Sequence, residues 1–178
     1  RMLFTAACRY DRQAAVNSIL LGCSVGVAGT VLGFIFAFAV TRLSLPKWLC
    51  TAVSAVTLLP LISPPFTSSI ALTLSLGPNG ILLDFFGLGN FNFYGFWGTF
   101  ISETLTFFPV AFMTLSTILA RIDPNLEDAA YSLGASSFKV FRTVTLPLAA
   151  PGIANAFLLV FSCSLADFAT PQVLGGHS

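Results

Sequence analysis

The chain has 178 residues, of which 56% are hydrophobic and only 8% are charged, whereas about a quarter of the residues in an average soluble domain are charged. This composition predicts a membrane protein. A transmembrane helix needs about 20 residues, so four or five crossings fit and a sizeable soluble domain does not. A formal net charge of +1, without a dense run of Lys and Arg, excludes nucleic acid as a partner.

The first predicted span covers residues 14–40 and contains no charged residue. Glycine recurs in it at intervals of three or four positions, which places the glycines near one helical face: Gly22, Gly26, Gly29 and Gly33. Because glycine has no Cβ, this face predicts the close approach of a neighbouring helix.

The second predicted span covers residues 48–76 and carries Pro60, Pro64 and Pro65 near its middle. Each proline lacks a backbone donor and disfavours the helical conformation at the residue before it, so we expect the helix to break there. Non-helical backbone persists at membrane depth only where it is buried in protein or lines a wet cavity. Ser63 and Pro64 are therefore candidate residues of a translocation pathway, with a structural kink as the alternative.

Two further spans are predicted at residues 96–120 and 148–169, and each contains one acid, Glu103 and Asp167. An ionised carboxylate at a helix centre costs roughly 2.5–3.5 kcal/mol on insertion scales, so it normally faces a wet cavity or a partner. We expect both acids at similar depth on the outer side, lining a substrate pathway. The alternatives are hydrogen bonds to neighbouring helices and, for Asp167, simple exposure at the interface.

The loop between these spans, residues 121–147, holds six charged residues: Arg121, Asp123, Glu127, Asp128, Lys139 and Arg142. The loops on this side of the spans hold five basic residues and those on the other side hold three: Arg42, Lys47, Arg121, Lys139 and Arg142 against Arg1, Arg9 and Arg12. Cytoplasmic loops are enriched in Lys and Arg, so the loop is predicted to be cytoplasmic.

Inside this loop, Asp123 and Pro124 predict the start of a helix and Gly134 predicts its end. We expect an amphipathic helix over residues 124–133 with an apolar arc (Leu126, Ala129, Ala130 and Leu133) and a polar arc (Asn125, Glu127, Asp128, Tyr131 and Ser132). Its acids are expected on the exposed face and its alanines on the seated face, or the reverse if the partner's groove is basic. About ten residues do not form a stable helix alone in water, so this helix must pack against something.

A second short helix is predicted to start at Ser136 or Ser137 and to run through Phe138 to Val144. Leu146 and Pro147 are expected to end it and to lead into the last span.

The pattern Asp128-Ala129-Ala130-x-x-x-Gly134, nine residues, then Val144-x-Leu146-Pro147 resembles the EAA loop of bacterial binding-protein-dependent ABC import permeases. Asp replaces Glu and Val replaces Ile in it, and the spacing is kept throughout. The resemblance implies an all-α fold, a polytopic transmembrane helix bundle of the ABC importer permease (MetI-like) type with cytoplasmic coupling helices. It also implies a place in the bacterial cytoplasmic (inner) membrane and one transmembrane permease domain over residues 1–178, with at least one further span expected after them.

In such permeases the loop seats in a groove of a cytoplasmic ATPase subunit. The resemblance places ATPase coupling on seven residues: Glu127, Asp128, Ala129, Ala130, Gly134, Leu146 and Pro147. The sequence has no GxxxxGK[ST] phosphate loop, so ATP and Mg²⁺ are assigned to separate ABC ATPase subunits, and this chain is expected to bind no cofactor. The other implied partners are a periplasmic or lipoprotein substrate-binding protein, a second permease copy or homologous half, and the lipid bilayer.

The end of the last span, from Leu165 through Asp167 to Pro171 and then Gly175-Gly176, resembles permeases for ferric iron, aminoethylphosphonate, thiamine and polyamines. The expected substrate is ferric iron or another small solute. The competing interpretation is an ion-coupled secondary transporter or channel, because of the broken second span and the intramembrane acids. An enzyme is not expected: the only histidine is His177, and neither a catalytic set nor a metal-ligand spacing is present.

Overall fold

The computed structural model describes residues 2–43, 46–62, 95–167 and 170, with side chains described for residues 15–43, 46–60, 95–167 and 170. Six α-helices and one π-helical segment account for nearly all of these ranges, and no strand occurs in them. They are α1 (Met2–Arg42), α2 (Lys47–Ile62), α3 (Phe96–Arg121), α4 (Pro124–Ser132), α5 (Ser137–Val140), the π-helical segment (Phe141–Thr145) and α6 (Leu146–Ala166). The predicted all-α class is confirmed.

Three stretches in the described ranges are long and apolar enough to cross a membrane: Ala15–Arg42, Phe96–Arg121 and Ser137–Ala166. The first and second agree with the predicted segments 14–40 and 96–120 to within two residues. The last begins eleven positions before residue 148, because the loop helix and the span form one helix. The predicted break in the second span, including Ser63 and Pro64, lies outside the described residues.

The prediction that Leu146 and Pro147 end the short helix is wrong. The backbone is helical through Thr145 and Leu146, and the N–H of Leu146 donates to the carbonyl of Phe141, five residues earlier. In a regular α-helix the ring of Pro147 would clash with the carbonyl four residues before it. A π-helical turn just ahead of the proline changes the hydrogen-bond register there, and the helix continues through it.

The core is formed where α1, α3 and α6 pack together. Its buried apolar residues are Val25, Ala37, Phe107, Ala111, Phe112, Leu115, Leu119, Ile122, Ala149, Ala156 and Val160. On α1, Gly29 and Gly33 face successive turns of α3, so these two helices run in the same direction. Gly22 and Gly26 instead face Phe161 and Phe157, so α6 runs in the opposite direction.

The glycine face of α1 packs closely on its neighbours, as predicted. A Cβ added at Gly33 would lie 2.7 Å from the Cβ of Ala111 and 2.8 Å from the backbone nitrogen of Phe112. A Cβ at Gly22 would meet side-chain atoms, with ring atoms of Phe161 at 3.2 Å and Cδ2 of Leu165 at 3.4 Å. Rigid backbone therefore restricts residue 33, whereas residue 22 faces a side chain that can rotate.

Gly33→Ala is expected to lower the free energy of unfolding by about 1–3 kcal/mol, because the added methyl group overpacks the contact between α1 and α3. Gly22→Ala is the matched control and should cost less, since the ring of Phe161 can move. Thermal unfolding of the purified protein in detergent measures both. Equal shifts for the two variants would contradict the close backbone contact at Gly33.

Candidate functional site

The short helix α4 is bounded by local signals at both ends. The Asp123 carboxylate accepts a hydrogen bond from the backbone N–H of Asn125 at 3.0 Å, and Pro124 is the first helical residue. Beyond the other end, Gly134 has φ +80°, a left-handed conformation that favours glycine. The N–H of Ala135 there donates to the Ala130 carbonyl at 3.1 Å. The predicted start and stop are confirmed, with the helix ending at Ser132, one residue before the predicted end.

The apolar arc of α4 is not seated on the chain's own bundle. Leu126 is 48% exposed and Leu133 is 89% exposed, and α4 has no buried residue. Phe138, in the adjoining helix α5, is 73% exposed. Exposed apolar residues grouped on one loop are typical of an interaction surface. We call these three side chains the apolar surface of the loop.

Five of the predicted coupling residues lie on or directly after α4, and they differ in exposure. Asp128, Ala129 and Gly134 are exposed, and Ala130 is half-buried. An acid and an alanine of the motif are therefore both accessible, so the expected division into an acidic exposed face and an alanine seated face does not describe α4.

Glu127 faces the bundle, which corrects the prediction that it lies with Asp128 on the exposed face. Its carboxylate oxygen Oε1 accepts a hydrogen bond from the Thr145 hydroxyl at 2.7 Å and lies 3.4 Å from Nη2 of Arg42. The side chains of Arg42 and Glu127 are only 13% and 16% exposed. The reason is electrostatic, since a carboxylate at a protein surface turns toward a nearby cation and a hydroxyl donor.

Leu146 and Pro147 directly follow Thr145, so they lie next in the chain to the Glu127 contact and not at a helix end. Sequence reasoning missed Arg42 and Thr145 as partners of the loop. Arg42 was used only as one of the basic residues that predict which side of the membrane the loop is on. Thr145 was a position inside the motif to which no role was assigned. The available signal was that Arg42 is the last residue of a long apolar helix, where an arginine can reach the next loop.

Glu103 and Asp167 lie at the same end of the pair formed by α3 and α6. Glu103 is fully buried, and its Oε2 accepts a hydrogen bond from the Ser164 hydroxyl. Its Oε1 has no hydrogen-bond partner among the described residues. Asp167 follows Ser164 by one turn, is partly buried and accepts from the Thr170 hydroxyl at 2.6 Å. The acids therefore sit at similar depth, as predicted, and Glu103 makes the hydrogen bond to a neighbouring helix that was the structural alternative.

Asp123→Ala is expected to destabilise α4 by about 0.5–2 kcal/mol, because the Asn125 N–H loses its acceptor. Hydrogen exchange of the amides in Pro124–Ser132 measures the loss. Ser136→Ala is the matched control, since Ser136 precedes α5 but makes no side-chain capping bond. Unchanged exchange in α4 after Asp123→Ala would show that the cap does not hold this helix.

Residues 29–178 match the family described as binding-protein-dependent transport system inner membrane component. A putative ferric transport system permease protein of Haemophilus influenzae is 38% identical over 172 residues, which cover 94% of this chain and 27% of that protein. A ferric transport system permease protein of Actinobacillus pleuropneumoniae is 39% identical, with 94% of this chain and 25% of that protein covered.

A shorter relative matches over most of its length. The molybdenum transport system permease protein of Haemophilus influenzae is 34% identical over 161 residues, covering 86% of this chain and 69% of that protein. The chain thus spans about a quarter of the two ferric permeases and about two thirds of the molybdenum permease. Together with the family match, these relatives show that the chain belongs to the family of binding-protein-dependent transport system inner membrane components.

Proposed function

We propose that this chain is the transmembrane permease part of an ATP-driven ABC importer and that its loop 121–147 docks on a cytoplasmic ATPase subunit. The observation that carries the proposal is α4, a helix capped at both ends that exposes Asp128, Ala129 and Leu133 instead of burying them. The proposal places the chain in the bacterial cytoplasmic membrane. It also assigns a substrate-binding protein on the outer side and a second permease copy or homologous half beside it.

The exposed side chains of the loop suit a groove on a protein. Ala129 allows close approach of a backbone, and Asp128 can form a charge-assisted hydrogen bond with a basic side chain. The apolar surface of the loop adds area that a partner would remove from water. Because the sequence has no phosphate loop, ATP and Mg²⁺ belong to the partner in this proposal.

The connection from the loop to the membrane is continuous. Ser137–Ala166 forms one helix of 30 residues through the π-helical segment, so displacement of the loop moves α6 as a unit. Leu146 and Pro147 lie inside this helix. In this proposal they take part in coupling as residues of the segment that joins the loop to α6.

Asp128→Lys and Leu133→Glu are each expected to lower recovery of the ATPase subunit by about tenfold or more, since a mismatched charge at a docked surface costs several kcal/mol. Gly134→Pro should do the same, because proline fixes φ near −65° where the turn has +80°. The measurement is co-purification of the ATPase with the tagged permease in detergent. Lys47→Gln, an exposed charge change at the start of α2 and outside the loop, is the control.

Retained ATPase in all three loop variants would overturn the docking proposal. A secondary transporter or channel is the second candidate, and it is favoured by the buried Glu103, whose Oε1 has no partner among the residues that the structure describes. In proteoliposomes the two functions separate directly. Uptake by an importer stops when internal ATP is removed and survives collapse of ion gradients, whereas uptake by an ion-coupled transporter does the opposite.

The substrate we propose is ferric iron or another small solute, supported by the two ferric permeases that match 94% of this chain. Two carboxylates at one end of α3 and α6 suit a cationic substrate in a pathway of modest polarity. Molybdenum and sulfate permeases are also among the relatives. Substitution of the two acids therefore tests whether the substrate of this chain is a cation. Ser63 and Pro64 stay proposed pathway residues.

Glu103→Gln and Asp167→Asn are expected to lower uptake by about tenfold each if the carboxylates meet a cation, while the ATPase still co-purifies. The glutamine keeps an oxygen that can accept from Ser164. Thr106→Ala is the matched control, because among the described residues the Thr106 hydroxyl donates to the Ser102 carbonyl of its own helix, at 2.8 Å. Unchanged uptake in both acid variants would assign them a structural role only.

A further inference from the structure

Arg42 joins the ends of two membrane-spanning helices to the loop. It is the last residue of α1, and its Nη2 donates to the carbonyls of Leu119 at 3.2 Å and Ile122 at 3.3 Å. These carbonyls lie at the end of α3, where a helix leaves acceptors without partners and favours a positive charge. The same nitrogen lies 3.4 Å from the Glu127 carboxylate of α4.

Glu127 joins the loop to the third helix. Its Oε1 accepts from the hydroxyl of Thr145, which is buried and precedes the first residue of α6. One carboxylate therefore links α4 to the ends of α1 and α3 through Arg42, and to the start of α6 through Thr145.

The polar links matter because α4 has little else to hold it on the bundle. It has no buried residue, and its larger apolar side chains, Leu126 and Tyr131, are 48% and 45% exposed. Apolar burial therefore contributes little to its attachment. The side chains of Arg42 and Glu127 are only 13% and 16% exposed, so loss of one partner would leave the other charge partly buried and unpaired.

We propose that Arg42 is a positioning residue and that its ion pair with Glu127 is the joint through which movement of α4 reaches α1 and α3. Glu127 then acts inside this chain, and Asp128 alone of the two acids faces the ATPase. The inference rests on the proposed function and adds the element that transmits the movement. Arg42 Nε is buried and has no acceptor among the described residues, so Glu127 can shift toward it and form a two-pronged contact without breaking the pair.

A double-mutant cycle tests the joint in the complete importer, reconstituted with its ATPase and binding protein. The variants are Arg42→Gln, Glu127→Gln and both together, and the readout is ATP hydrolysed per substrate transported. Each single variant is expected to raise this ratio about tenfold, and the double variant no further than the larger single one, since the two residues act through each other. Arg42→Lys keeps the charge but loses the planar fork, so it should raise the ratio less than Arg42→Gln does. The control Lys47→Gln removes an exposed charge at the start of α2, outside the loop, and should stay close to the wild type.

Two results would overturn the proposal. One is a double variant whose ratio rises about a hundredfold, because the effects of the single variants then multiply as independent effects do. The other is loss of the ATPase from Glu127→Gln during co-purification, which would place Glu127 at the partner. A measurement on the purified permease alone separates this proposal from the function that it rests on. There Arg42→Gln and Glu127→Gln should each speed amide exchange in Pro124–Ser132 and leave the core of α3 unchanged. Unchanged exchange in α4 overturns the joint, whereas ATP-independent uptake by the wild type overturns only the importer.

Discussion

The close contact of α1 with α3 at Gly33 is the constraint on which the rest of the arrangement depends. Inside a bilayer the lipid gives apolar helices no hydrophobic reason to associate, so van der Waals contact at short range must hold them together. At Gly33 the backbone of α3 approaches to a distance that excludes a Cβ. Because the two helices run in the same direction, this contact brings Arg42 to the terminal carbonyls of α3 a few turns later. Two residues separate the end of α3 from the start of α4, and Arg42 forms an ion pair there with Glu127 of α4.

The loop combines rigid and exposed features in one short stretch. The cap at Asp123 and the left-handed turn at Gly134 fix where α4 begins and ends. Its partners inside the chain are polar and few, and its apolar side chains are left in contact with solvent. A helix that is positioned in advance but uncovered loses little conformational entropy when it binds, which favours tight and specific docking.

Local sequence signals predicted the parts of the molecule that depend on neighbouring residues. The cap at Asp123, the stop at Gly134 and the glycine face of α1 were predicted because capping and the absence of a Cβ act over a few residues. The direction of Glu127 was predicted wrongly because a helical wheel sees only α4, while Arg42 is distant in sequence. The helix end at Pro147 was predicted wrongly for a different reason. A proline normally ends a helix, and the π-helical turn that accommodates this one has no established sequence signal.

The uninterrupted helix from Ser137 to Ala166 has a mechanical consequence that follows from its length. Thirty residues form a rod about 45 Å long at 1.5 Å per residue, whereas the hydrocarbon layer is only about 30 Å thick. A rod of this length that stood upright and projected only at its Ser137 end would extend about 15 Å beyond the lipid, and α4 and Gly134 precede that end in the chain. In the proposed importer, a rod held in the bilayer and bound by the ATPase at a projecting end would act as a lever, and a displacement of a few ångströms at the loop would tilt its intramembrane arm.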